Sequence, residues 1–538
     1  MDHIRILNDI RDPQTLACAL DYAIHDRVKN DHFYDPIEID HTLRHQDQVL
    51  DEIAQELTSP DDYQPRPAFA YYPPKSALCY RRMVYVPIKD LVVRYALGIV
   101  FADRLDPQMI PTCFANRRSS GEQRSVSFTE PFQSRGWPAF CAWQREQAET
   151  AQVLIRCDIS SFYDSISHRH LLMTLAGELG VNEESPPIRL FRRLLELPVA
   201  SYSHRTGRVS RPMVPHQGLV IGSGTEGFFA NLFLKQVDEE LINEGFVFGR
   251  YNDDMRVFAP NRDAALRAIL ILQQALLDRG LNLNGGKTEL AEGEEAIEGL
   301  RSKLIDVSGD VESEDEDAEL DSEGHPEIQA AIDRDLHEFD RVFAPGESLY
   351  SDQDAKEFCK FLSSNSGQAS NRAGLRARTV AHVALLEEVL VRWRGATKHA
   401  AWLLIQSAVY RDVDDAVKGA ASEAIARLVS SEGVSHYSRY RLLHFLVKEP
   451  RGGDGTLRHL DALHEESRDL VIGALPGFLA APAFEMNLIG LYALAVNGCG
   501  IPEILALLDG NRPRPHAEHL AEAIARIRDE EESALAEA

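Results

Sequence analysis

Two absences and one deficit narrow the reading before any motif is considered. The seven cysteines (Cys18, Cys79, Cys113, Cys141, Cys157, Cys359 and Cys499) are scattered, and none belongs to a Cys-x-x-Cys pair. That spacing excludes a zinc ribbon or a disulfide framework and fits buried free thiols in a reducing compartment. No apolar run reaches the ~20 residues needed to cross a bilayer. The start, Met1 to Arg5, lacks the basic-then-apolar layout of a signal peptide. A cytoplasmic chain with no membrane contact is expected. Positive charge is in deficit: 57 Lys and Arg stand against 84 Asp and Glu, a net charge of −27. Such a surface repels nucleic acid unless its basic residues gather in a channel. This argues against generic DNA coating and leaves room for an enzyme with a local basic cleft.

With 538 residues, of which 44% are hydrophobic, there is room for roughly two to four domains. Residues 1–60 are polar with helical spacing, as at Leu16, Leu20, Ala23 and Ile24. A Pro/Tyr-rich stretch runs from Tyr63 to Pro74, and Tyr80 to Pro87 alternates as a strand. Lys89 to Leu105 has helical periodicity. Val153 to Asp158 is a short apolar strand ending in an acid. Helices are expected over Ser165 to Leu175, Ile188 to Leu195, Glu226 to Glu240 and Arg262 to Arg279, with a hairpin over Phe246 to Ala259 and a loop and strand from Gly280 to Leu290. Strands and helices thus intermix over 61–305, an α+β unit. Nine of the fifteen residues from Asp310 to Gly324 are acidic, so 306–325 reads as a solvated linker or insertion. From 326 to 538 nearly every segment reads as helix. Val413, Val417, Ala420, Ala421, Ala424, Ile425 and Leu428 form one apolar stripe, which suggests an all-α helical-repeat array or an irregular bundle.

The densest chemical signal is Tyr251-Asn252-Asp253-Asp254 between strand-forming residues. Adjacent carboxylates repel and are stable as a pair chiefly where a cation neutralises them. Oxygen-only ligands suit a hard cation such as Mg²⁺. Upstream, Asp158 ends a buried strand, and the Ile159 carbonyl could add another oxygen. Two cations shared by Asp158, Asp253 and Asp254 could clamp a triphosphate. Asp164 reads as the N-cap of the following helix. Gln217-Gly218-Leu219-Val220-Ile221-Gly222-Ser223-Gly224 is a Gly-rich loop before a helix, open to close ligand approach. Lys287, on Asn284-Gly285-Gly286-Lys287-Thr288, could reach a phosphate.

In this order the elements resemble the reverse transcriptase family over roughly residues 75–300. Asp158 to Ile166 resembles its first metal motif, Gln217 to Asn231 its template–nucleotide loop and helix, Tyr251 to Asp254 its Tyr-x-Asp-Asp turn, and Leu281 to Thr288 its lysine motif. Arg81 to Arg94 and Cys113 to Arg117 resemble its fingers segments. The resemblance implies a right-hand palm-and-fingers core with Asp158, Asp253 and Asp254 as catalytic acids. It also implies two Mg²⁺ ions (or Mn²⁺) and dNTP substrates. It places Gln217 and Gly218 on the incoming nucleotide, Arg81, Arg82 and Lys287 facing the triphosphate, and Tyr163 as the aromatic ring that rejects a 2′-hydroxyl.

Two positions depart from the family's loop. Val220 stands where a proline is usual and Glu226 where a serine is usual, and an acid beside the template helix argues against a conventional template path. No clear thumb or maturase pattern is legible after residue 300. A palm with a long helical tail resembles the bacterial abortive-infection and unknown-group defence reverse transcriptases, the AbiA- and AbiK-like subgroup, whose tail is HEAT-like. That likeness implies antiphage defence, homo-oligomers, and protein-primed, template-independent synthesis of single-stranded DNA attached to a tyrosine. Tyr34, Tyr63, Tyr71, Tyr72 and Tyr85 are the candidates. The alternatives are RNA-templated synthesis on a bound non-coding RNA, as in retrons or introns, and an inactive palm acting as a scaffold. Arg376 to His382 and Arg439 to His444 also match the Arg-x(4–6)-His spacing of HEPN nucleases.

Overall fold

The computed structural model describes residues 2–29, 35–75, 79–121, 127–130, 136–203, 208–209, 213–220, 224–293, segments of 351–496, and 523–525. Tyr34, Ile221 to Ser223, the acidic insertion 306–325, Arg376 and Cys499 lie outside these residues.

The N-terminal region forms four helices, α1 (Asp2–Arg11), α2 (Pro13–Lys29), α3 (Pro36–Arg44) and α4 (Gln46–Glu56). Helix α3 begins with Pro36 in its first turn, and Asp35 caps it by accepting from the Glu38 N–H. Helix α2 packs along α5 (Ile88–Leu105), the long buried helix of the core.

A first sheet has the order β2-β1-β4-β5, from β1 (Ala68–Tyr71), β2 (Met83–Tyr85), β4 (Val199–Ser203) and β5 (Arg208–Val209). β1 pairs antiparallel with β2 and parallel with β4. The expected strand over Tyr80 to Pro87 is shorter, because the Arg81 N–H bonds the Pro73 carbonyl and Pro87 starts α5. The Pro/Tyr-rich stretch itself supplies β1, four residues too short to show a period.

A second, antiparallel sheet has the order β6-β7-β3-β8, from β3 (Val153–Cys157), β6 (Val247–Tyr251), β7 (Asp254–Ala259) and β8 (Glu289–Glu292). Its inner face carries Ile155, Cys157, Met255 and Val257, all buried in the main core. Helices α10 (Thr225–Asn243) and α11 (Arg262–Leu277) pack against this sheet, while α6 (Trp137–Ala148) lies against β6 and β7. The helix expected from Ser165 divides into α7 (Phe162–Ser165) and α8 (His168–Leu179). Ser167 is the cap of α8, accepting from the His170 N–H at 3.4 Å, so Asp164 sits inside a one-turn helix and is not an N-cap. Helix α9 (Pro186–Leu195) follows.

Downstream lie α12 (Val380–Arg392), α13 (Thr397–Val409), α14 (Asp415–Ser430), α15 (His436–Val447), α16 (Glu465–Leu479) and α17 (Phe484–Val496). α12, α14 and α16 pack side by side in sequence, as do α13, α15 and α17. Their core does not end at its own helices. Phe69, Tyr71, Met83, Tyr85 and Ala200, from one face of the first sheet, belong to the same apolar cluster, while Ala68, Ala70 and Val84, from the other face, belong to the α5 core. Strand alternation divides one sheet between two cores.

Candidate active site

The second sheet positions the acids by register. Cys157 of β3 pairs with Met255 of β7, and Tyr251 pairs with Asp254 across the turn. Asp158, one residue beyond β3, therefore comes level with Asp254, and Asp253 occupies the tight turn. Asn252 turns that corner at φ +56°, a left-handed conformation that asparagine tolerates better than most residues. Asp158, Asp253, Asp254, Arg156, Gly286, Lys287 and Glu289 line one cleft of about 450 Å³. Three acids separated by almost a hundred residues thus meet with the expected lysine.

Lys287 is placed by backbone. The Asn284 N–H donates to the Asp158 carbonyl (2.8 Å), and the Ser160 N–H to the Asn282 carbonyl (2.9 Å). This straps the 282–287 loop onto the segment after β3, and the Lys287 ammonium pairs with the Asp158 carboxylate. Ile159 and Leu283 face each other between these two bonds, so the Ile159 carbonyl turns away from this ladder. Asp254 is held by Arg256, which donates Nη1–H to Oδ1 (2.6 Å) and Nη2–H to Oδ2 (2.8 Å). Arg256 is itself fixed, with Nε–H on Gln144 (2.8 Å) and its guanidinium over the Phe140 ring. Burial pushes the Asp253 carboxyl above its ordinary range, and the charges of Asp158 and Asp254 add to the push. The hydrogen bond to Asp158 raises the Lys287 ammonium.

The donor chemistry fits a hard divalent cation: oxygen ligands only, in one open cleft, with Asp253 disfavoured as a lone anion. Asp158 and Asp253 would hold it. Among the described residues no three His, Cys, Asp or Glu side chains converge at ligand spacing. Lys287 and Arg256 supply the neutralising charge for Asp158 and Asp254 instead.

Beneath the turn lies a polar scaffold that the sequence reading missed. Arg250, fully buried, forks onto Asp238 with two bonds of 2.7 Å and donates to Asn231 Oδ1 at 2.6 Å. Asn231 donates to the Ala115 carbonyl at 2.7 Å. Arg250 directly precedes the turn motif, but only its burial distinguishes it from a surface arginine.

The nucleotide-side candidates are dispersed. Tyr163 lies on α7, and burial, then the charge of Asp253, raise its hydroxyl. Gly218 takes φ +91° with its N–H on the Ile166 carbonyl (2.8 Å), and an added Cβ would stand 3.2 Å from the Asp164 carbonyl oxygen. Gln217, on the same loop, is exposed. Arg81 and Arg82 are exposed just before β2 and do not line the acid cleft.

Glu226 corrects an expectation. It is 2% exposed and pairs with the buried Arg94, whose Nε–H donates to Oε1 at 3.0 Å. Its carboxylate therefore faces a cation in the core, and its charge does not obstruct a template path. Of the tyrosines, Tyr63 and Tyr85 are buried with hydroxyls bonded to Asp90 and to Asp35 and Glu38. Tyr71 is buried, and Tyr72 is 39% exposed. Arg439 and His444 are buried inside α15, with Arg439 donating to the Val429 carbonyl (2.9 Å), so this pair does not form a surface nuclease site.

Residues 103–316 match the family model described as reverse transcriptase (RNA-dependent DNA polymerase). The chain therefore carries a nucleotidyltransferase domain of the RNA-directed DNA polymerase type. Among solved structures, an apo telomerase from Candida tropicalis, truncated from its C-terminal domain, is similar with 15% identity and a TM-score of 0.31, over 42% of this chain and half of that one. No curated protein matches. No helix among the described residues is long and apolar enough to cross a membrane.

Proposed function

We propose that this chain is an antiphage-defence DNA polymerase that extends DNA from dNTPs, without a template, from a tyrosine of its own. The observation that carries the polymerase part is the gathering of Asp158, Asp253, Asp254 and Lys287 around one cleft. Bound there, Mg²⁺ would neutralise phosphate charge and activate the attacking hydroxyl. The chain's own part is positioning. The turn fixes Asp253, the Arg256 fork orients Asp254, and Lys287 stands where a leaving pyrophosphate could take a proton. In this reading Tyr163 is the ring that would reject a 2′-hydroxyl, as the family resemblance implies.

The defence reading is supported by the tail. Alternate helices stack in two rows, as a HEAT-like repeat requires, and the array lies on the first sheet. Among the described priming candidates Tyr72 is the accessible one, since a buried hydroxyl cannot reach a nucleotide. Homo-oligomerisation and a cytoplasmic location belong to the same reading.

A second reading, RNA-templated synthesis on a bound non-coding RNA, is favoured by Glu226, whose pairing with Arg94 removes the obstruction expected from its charge. Incubation with Mg²⁺ and labelled dNTPs, without template or primer, separates the two. The proposal expects DNA that migrates with the chain on denaturing gels and is released by protease. Synthesis that requires added RNA supports the second reading. No polymer under either condition, with phage protection intact in Asp253→Asn, would leave a scaffold.

A further inference from the structure

The outer face of the second sheet is layered. Leu154 stands opposite Phe258 and Ala291, and α6 packs over that apolar layer. Two residues on, Arg156 stands opposite Arg256 of β7 and Glu289 of β8. Two residues further comes Asp158, so apolar, basic and acidic layers follow one another toward the cleft. The two arginines are side by side but differently placed. Arg256 is buried under Gln144 and Phe140 of α6, and both its terminal nitrogens bond Asp254. Arg156 emerges past α6, half-exposed, and lines the cleft.

Little in the fold answers the charge of Arg156. The one carboxylate in ion-pair reach of it among the described residues is that of Asp254, 3.9 Å from Nε and beyond hydrogen-bonding distance. Both oxygens of Asp254 already accept from Arg256, at 2.6 and 2.8 Å. Asp158 is engaged by Lys287. Like charges directly opposite on neighbouring strands are destabilising, and here one carboxylate serves two guanidiniums. In a chain with 57 basic against 84 acidic residues, this arginine still has donors to give, and it gives onto the acid cleft.

We propose that Arg156 is a phosphate-binding residue of this cleft. The inference rests on the polymerase reading above. A guanidinium is planar, stays charged, and presents a fork of donors that matches phosphate oxygens. Arg156 stands roughly 7 Å along the strand from Asp158, on the same side. A phosphate with one oxygen on a cation held by Asp158 and Asp253 can turn another oxygen toward Arg156. The acids' repulsion of that phosphate is offset by the cation and by Lys287 and Arg256. Two substrates carry such a phosphate: the nucleotide in its triphosphate, and the growing strand in its terminal phosphodiester.

The test measures equilibrium binding of tripolyphosphate, of a dNTP and of a short single-stranded DNA to the full chain with Mg²⁺. Arg156→Met should weaken at least one of them about five- to thirtyfold, as loss of one charge-assisted contact predicts. Arg156→Lys, which keeps the charge without the fork, should recover only part of that. A loss shared by the dNTP and tripolyphosphate assigns the triphosphate, and a loss confined to the DNA assigns the strand. Arg262→Met is the control. It removes the same charge beyond the far end of β7, where Arg262 pairs with Glu292. An equal loss there would mean that only net charge matters, which overturns the proposal. Unchanged binding of all three ligands by Arg156→Met also overturns it, since Arg156 is then only a counter-charge for Asp254. The polymerase reading fails separately. If binding needs Arg156 but is indifferent to Mg²⁺ and to Asp253→Asn, the metal site is misassigned and the role of Arg156 stands. If Asp253→Asn abolishes synthesis while Arg156→Met binds every ligand normally, only the role of Arg156 fails.

Discussion

The two sheets among the described residues are close in size and differ in what covers them. The β2-β1-β4-β5 sheet is covered on both faces, by the α5 core on one and the helical tail on the other. The β6-β7-β3-β8 sheet buries one face in the main core; on the other, α6 covers Leu154 and Phe258, and only the end near the turn opens to the cleft lined by Arg156, Asp158 and Asp254 with Lys287 from the adjoining loop. A doubly covered sheet can use apolar side chains on both faces and becomes a joint between two cores. A sheet with an open end can hold like charges close together, because water and neighbouring cations limit their repulsion. The candidate site lies at the second sheet, and the contact between the two apolar cores is found at the first.

The comparison breaks first at the acids. Asp253→Asn should reduce nucleotide incorporation by on the order of 10³-fold, measured in single turnover, with little change in thermal stability. A comparable loss of stability would mean that the acid is structural. Next, Arg250→Met leaves Asp238 buried without its partner. It should cost about 3–5 kcal/mol in urea unfolding, and the double substitution Arg250→Met/Asp238→Leu should recover part of that. If the single substitution is neutral, the scaffold beneath the turn is not what holds it.

The joint can be tested at Phe69, which is 5% exposed and faces the helical core. Phe69→Ala should cost about 3–4 kcal/mol. Hydrogen exchange should then show α13 and α17 opening more readily while β3 and β7 stay protected. Loosening confined to the palm would place the joint elsewhere. The smallest effect concerns pH. Asp90 on α5 is fully buried, and burial pushes its carboxyl up to about 6 against the pull of Arg66 and the Tyr63 hydrogen bond. The unfolded carboxyl titrates near ~3.9. Its contribution is therefore complete below pH ~4 and is lost as pH rises through about 6. Asp90→Asn should flatten that part of the stability–pH curve by about 1–3 kcal/mol, read from urea midpoints at pH 4, 5 and 7.

Most of the palm was legible in the chain. The hairpin around Asp253, the strand ending at Asp158, the helices α9, α10 and α11 and the loop bearing Lys287 all follow from local periodicity and turn residues. The first sheet was not, because β1 has four residues and its partner β4 comes more than a hundred positions later. Glu226 misled for a related reason. On the chain it is an acid near a ligand loop, and only packing shows Arg94 beside it. Arg256 could have been noticed, since residues two apart on a strand share a face.

Sequence alone determined which acids the chain carries, their order, and the tight turn that makes Asp253 and Asp254 neighbours, because these depend on residue identity and short-range geometry. Tertiary structure decided which cations answer those acids, that Tyr85 and Tyr71 are buried in a joint, and that Asn116 reaches the Asn252 corner from a distant segment. Those facts depend on burial and on contacts between distant segments, and no local pattern encodes them.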